Sequence, residues 1–131
     1  MVDRLAAEAL LTRYLAACET LDLDIITGCF APRAVVIDPT SPPIRGRPQI
    51  RIYFGSLYDD LASLRLTTSP LYWQGAEIAC RWQGVALRKD GKAIKYEGVD
   101  VFRLTNAPLI FRMQAFWDPK DFVDLTLQDG P

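Results

Sequence analysis

The stretch "KAIKYEGVDVFRL", Lys92 to Leu104, decides how the chain is read. Its alternation puts Gly98, Asp100, Phe102 and Leu104 on one face of a strand and Glu97, Val99, Val101 and Arg103 on the other. The charged Glu97 and Arg103 mark the second face as the outer one, so Asp100 points inward, between a glycine and a phenylalanine. An ionised carboxylate is costly in such a place. Desolvation should push its pKa up and leave the group protonated, as a hydrogen-bond donor. The competing reading is an ion pair with an inward-facing Arg or Lys, and the neighbouring segments offer no evident candidate.

Working outward, "RKDGK" precedes this strand, and its Asp90-Gly91 pair is a strong hairpin signal. "LRLTTSPLYW", "AEIACRWQGVAL" and "LIFRMQAFWD" share the period-two texture, separated by Gly75, the hairpin and "TNAP". Together these segments predict a four-strand antiparallel meander. Upstream of Leu64 the texture is helical. Leu10, Tyr14, Ala17 and Leu21 form one stripe of a helix over Asp3–Thr20, with Asp3 as its N-cap. Asp22 caps a second short helix, "LDIITGCF", expected to end near Ala31-Pro32. A strand over Ala34–Asp38 follows, carrying the β-branched Val35, Val36 and Ile37, and then a proline-rich loop. Pro48 opens a third helix, "PQIRIYFGSLYDDLASL", with Ile50, Phe54, Leu57 and Leu61 in a stripe. The tail after Phe122 reads as loose polar cover. Helix, helix, strand, helix and meander make an α+β fold. A curved, mostly antiparallel sheet is covered by three helices from the N-terminal half, as a cone with an open mouth.

Composition narrows the function. The 131 residues suit one domain over 1–131; half are hydrophobic and the net charge is −1. No basic excess draws the chain to nucleic acid or to anionic lipid, and no apolar run is long enough for a membrane span. Acids and bases interrupt the N-terminal apolar positions, unlike a secretion signal, so a cytoplasmic location is expected. The absence of histidine removes Ser-His and Cys-His schemes and the commonest metal ligand. Cys18, Cys29 and Cys80 lack zinc or redox spacing, and no glycine-rich phosphate loop is present. Chemistry without metal or cofactor must rest on Asp, Glu, Tyr, Lys or Arg.

Two more residues stand out. Tyr14 lies in the apolar stripe of the first helix, either as a core tyrosine or as a cavity group. Asp38 ends an apolar strand, either as a solvated strand end or as a reagent at the cavity mouth.

"RYLAACETLDLDIITGCFAPRAVVIDP", "GVDVFRL" and "RMQAFWD" resemble segments of the ketosteroid isomerases, over about Leu10–Phe122. These belong to the nuclear transport factor 2-like superfamily, with SnoaL-like polyketide cyclases and limonene epoxide hydrolases. The resemblance implies a cofactor-independent steroid Δ-isomerase-like enzyme for a small apolar ketone. In it Asp38 is the general base, and Tyr14 and Asp100 are the two oxyanion-hole donors. Phe54, Trp82, Phe102, Met113 and Trp117 are the expected apolar lining of the substrate site. Some relatives carry a further tyrosine on the third helix, where this chain has Phe54, with Tyr53 on a different face. The epoxide hydrolase pattern needs an arginine two residues before the strand aspartate, where Gly98 stands. A polyketide cyclase and a non-catalytic binder of small apolar ligands are the alternatives. The resemblance also implies a homodimer through the outer sheet face, with which Val99 and Val101 are compatible.

Overall fold

In the computed structural model, residues 2–126 are described. Helix α1 (Arg4–Glu19) starts where Asp3 caps the Ala6 amide, and α2 (Leu23–Gly28) starts where Asp22 caps the Ile25 amide. Strand β1 (Phe30–Ile37) and the two-residue β2 (Ile44–Arg45) flank the proline loop, and α3 (Arg47–Tyr58) carries Pro48 in its first turn. Then come β3 (Leu61–Thr68), β4 (Tyr72–Gln74), β5 (Glu77–Arg88), β6 (Ala93–Leu104), β7 (Ile110–Phe116) and β8 (Val123–Asp124). The sheet order is β2-β1-β7-β6-β5-β3, with β4 on β5 and β8 on β6. Among the described residues only the β1–β7 pairing is parallel. The result is an α+β architecture: three helices cover a large, curved, unclosed sheet.

Three expected boundaries move. The second helix stops at Gly28, because the chain enters the sheet at Phe30 rather than Ala34. The third helix ends at Tyr58 and not at Leu64. Residues 61–68 pair antiparallel with β5, burying Leu64 and part of Leu66, and this sheet pairing outweighs the helical spacing of Leu61. A register shift between Leu61 and Ser63 brings Leu61 to the same cavity wall as Leu64 and Leu66. The tail is not all loose cover, since Val123 and Asp124 pair with Lys95 and Ile94. Its remainder, 127–131, lies outside the described residues.

The core lies between the helices and the inner sheet face. Leu11, Ile26, Phe30, Val36, Ile50, Ile78, Phe102 and Ile110 are fully buried there. Asp100 follows the parity of buried Phe102 and Leu104, and Asp38 follows that of buried Ala34 and Val36. Both strands therefore turn a carboxyl group inward. No helix among the described residues is long and apolar enough to cross a membrane.

Gly98 sets the spacing at the middle of β6. A Cβ there would lie 2.5 Å from the Phe116 carbonyl oxygen, 2.7 Å from the Trp82 ring and 3.1 Å from the Trp117 Cβ. Two tryptophans thus converge on a position that has no side chain. Gly98→Ala should cost ~1–3 kcal/mol through this overpacking, measured by urea unfolding. Gly84→Ala, which meets only the Tyr96 ring at 3.3 Å and Leu66 at 3.4 Å, should cost less. Equal losses would contradict the packing described.

Candidate active site

Helix α1, α3 and the inner sheet face enclose a cavity of about 300 Å³, at the low end for ligand sites. Tyr14 and Cys18 enter from α1, and Tyr53, Phe54 and Tyr58 from α3. Trp82, Asp100, Met113 and Ala115 come from the sheet, and Trp117 from just beyond it. Leu57, 43 % exposed, belongs to the same wall and marks the rim.

Tyr14 is buried, and its ring meets Phe30, Phe54 and Phe102 edge-on at 5.7, 6.2 and 5.8 Å. Its hydroxyl donates to Met113 Sδ at 3.3 Å. A thioether is a weak acceptor, so this hydroxyl can turn to a stronger one without losing much. Burial pushes its pKa well up, with nearby Cys18 and Asp100 adding to the effect, and it remains a neutral donor. Burial likewise pushes the Cys18 thiol up to about 12, which keeps it from acting as a thiolate.

Asp100 is buried on β6, opposite Cys80 of β5. Desolvation pushes its pKa up to about 7, and the charge of Asp38 adds to the rise. The Trp82 indole N–H pulls the other way, although it makes no hydrogen bond of regular geometry. None of the ion pairs among the described residues involves Asp100. An inward-facing cation does exist on β5, contrary to expectation. It is Arg88, eight positions along from Cys80, and it pairs with Asp90 instead.

Asp38 is held from several sides. Its Oδ1 accepts from the Tyr53 hydroxyl at 2.8 Å and from Trp117 Nε1 at 3.0 Å. Its Oδ2 accepts from the Thr40 amide at 3.0 Å and the Thr40 hydroxyl at 2.6 Å. The carboxylate is 4 % exposed and does not itself line the inner cavity. It belongs to an outer pocket shared with Thr40, Ser41, Pro42 and Pro43. Tyr53 and Leu57 line both spaces, so Asp38 stands behind the wall that separates them. Burial raises the Tyr53 pKa, with Asp38 adding to the rise, and the phenol therefore stays a donor to that carboxylate.

Of the expected lining, Phe54, Trp82, Met113 and Trp117 border the inner cavity. Phe102 does not: it is 1 % exposed and packs beneath the Tyr14 ring. Tyr53 and Thr40 were not expected in the site. Thr40 had a readable signal, because a hydroxyl two residues after an aspartate closes a local turn on its carboxylate. Tyr53 had none, since only the placement of α3 brings that helix face to the end of β1.

The SnoaL-like domain family matches residues 11–113. No sequence among curated proteins matches the chain. Among solved structures it is similar to SalBIII, an epoxide hydrolase/cyclase-like enzyme described for pyran ring formation in the polyether salinomycin. The TM-score is 0.82 at 25 % identity, over 95 % of this chain and 99 % of that one. A proposed aromatic ring hydroxylase from Novosphingobium aromaticivorans shares the fold, with TM-score 0.74 at 23 % identity, over 93 % of this chain and 92 % of that one. The curved sheet, its three covering helices and the family match together make this chain a SnoaL-like domain of the nuclear transport factor 2-like superfamily.

Proposed function

We propose that the protein is a cofactor-independent enzyme that enolises a compact apolar ketone. Migration of a double bond into conjugation, as in a steroid Δ-isomerase, is the leading reaction. The observation that carries this reading is the pairing of Tyr14 and Asp100. Both line one apolar cavity, one spends its hydroxyl on a weak sulfur acceptor, and the other has no cation beside it among the described residues. Two neutral donors facing an apolar space suit an oxygen that becomes negative during reaction.

In this reaction Asp38 takes the α-proton of the ketone. The C–H electron pair moves into the carbon framework and places negative charge on the carbonyl oxygen, which accepts from Tyr14 and Asp100. Asp38 then returns the proton at the γ-carbon, so nothing is gained or lost overall. Four hydrogen bonds fill the lone pairs of Asp38, so one donor has to give way before the proton transfers. Tyr53 and Trp117 border the cavity and are the donors a substrate can displace.

Family membership and the likeness to SalBIII favour a second reading, in which the same enolate closes a ring in a polyketide. Epoxide opening in the limonene manner is disfavoured. Trp82 and Trp117 fill the space beside Gly98 that its arginine would need.

Conjugated enone formation from 5-androstene-3,17-dione, followed by ultraviolet absorbance beside a panel of polyketide ketones, tests the proposal. Asp38→Asn should lose ~10²–10⁴-fold in rate, and Tyr14→Phe ~10²–10³-fold. Asp100→Asn, whose amide still donates, should keep much of the activity, whereas Asp100→Leu should lose substantially more. Full activity in Asp38→Asn would remove the assigned base.

Stability carries the same signature. The folded Asp100 carboxyl holds its proton up to about pH 7, whereas the unfolded chain releases it near ~3.9. The favourable contribution is therefore complete below the lower value and lost as pH rises through the upper one. Asp100→Asn should gain stability relative to the parent as pH rises from ~4 to ~7. A constant difference in urea midpoints across that range would contradict the assignment.

A further inference from the structure

The inner face of β5 ends on a cation. Ile78, Cys80, Trp82, Gly84, Ala86 and Arg88 share one parity, and of these Trp82, Ala86 and Arg88 line the cavity. Leu61 of β3 pairs with Arg88, and Ile94 and Tyr96 of β6, with Tyr58 of α3, line the same cavity, all of them apolar or aromatic. Among the described lining residues Arg88 is the sole basic side chain and Asp100 the sole acidic one. Asp100 pairs across the sheet with Cys80, so the two enter the cavity from positions about 26 Å apart along the curved strand.

Arg88 Nε is buried and has no hydrogen-bond partner among the described residues. A buried donor without an acceptor costs free energy, which a small turn of the guanidinium toward a ligand oxygen would restore. Its Nη2 makes only a loose contact with Asp90 Oδ2, at 3.4 Å, between side chains 41 % and 48 % exposed. The guanidinium thus keeps donors unused at the wall of an apolar cavity. A planar fork of this kind matches a carboxylate, which can accept from two nitrogens at once.

We propose that Arg88 forms the distal end of the substrate site and binds a carboxylate carried by the substrate, remote from the carbonyl received by Tyr14 and Asp100. The substrate is then an apolar keto acid, oriented by its two ends. The carboxylate end rests on Arg88 alone; the carbonyl end rests on the function proposed above.

Three probes separate the two ends by calorimetry: 4-phenylphenol, 4'-hydroxybiphenyl-4-carboxylic acid and the methyl ester of that acid. The protein should bind the acid at least ~10-fold more tightly than the ester, as a charge-assisted fork does. Arg88→Gln should erase that preference while binding 4-phenylphenol within about twofold of the parent, which also reports an intact cavity. Arg88→Lys, which keeps the charge but not the fork, should retain a reduced preference. Equal binding of acid and ester by the unaltered protein overturns the proposal without any variant, as does a preference that survives in Arg88→Gln. The function proposed above fails separately, if Tyr14→Phe leaves 4-phenylphenol binding unchanged while the Arg88-dependent preference persists.

Discussion

An uncompensated carboxyl group on an apolar sheet face is the constraint around which this site is arranged. Asp100 is buried with no cation beside it among the described residues, and desolvation raises its pKa to about 7, so that it holds its proton up to near neutrality. From that follow the company of Tyr14, another neutral donor, and the distance to Arg88, whose approach would draw the proton off. Gly98 belongs to the same arrangement. Without a side chain there, Trp82 and Trp117 converge beside Asp100, one bordering its carboxyl and the other reaching Asp38.

Two carboxyl groups thus occupy opposite environments within one small fold. Asp100 has an apolar setting and no regular hydrogen-bond partner, whereas Asp38 is surrounded by donors from β1's own turn, from α3 and from the chain after β7. Such a contrast divides acid from base where histidine is absent. Asp38 lies behind Tyr53 rather than in the open cavity, so the proposed reaction requires a change in its hydrogen bonds. Tyr53 and Trp117, which border the cavity and donate to Asp38 Oδ1, are the donors that the proposed reaction would displace.

Much of this was legible because it depends on local periodicity. The inward parity of Asp100 came from the charges at Glu97 and Arg103, and the two helix caps from Asp3 and Asp22. The end of the third helix is not legible, because Leu61 satisfies a helical stripe and a strand pairing equally well. Only contact with β5 decides between them. Phe102 has the parity of a lining residue, but Tyr14 lies over it, which no strand pattern reveals. Arg88 was legible in principle, since it shares the parity of Cys80 and Trp82. Nothing in the pattern marks it out, because it sits at the strand end, where an arginine is commonplace.

The carbon-13 titration of the Asp100 side-chain carboxyl tests the account most directly, because every role assigned around it assumes a neutral acid. In the unliganded protein its midpoint should fall near pH 7, well above that of an ordinary aspartate, with Asp100→Asn identifying the resonance. A midpoint near ~3.9 would make Asp100 an ordinary anion and contradict the donor pair on which the proposed chemistry rests.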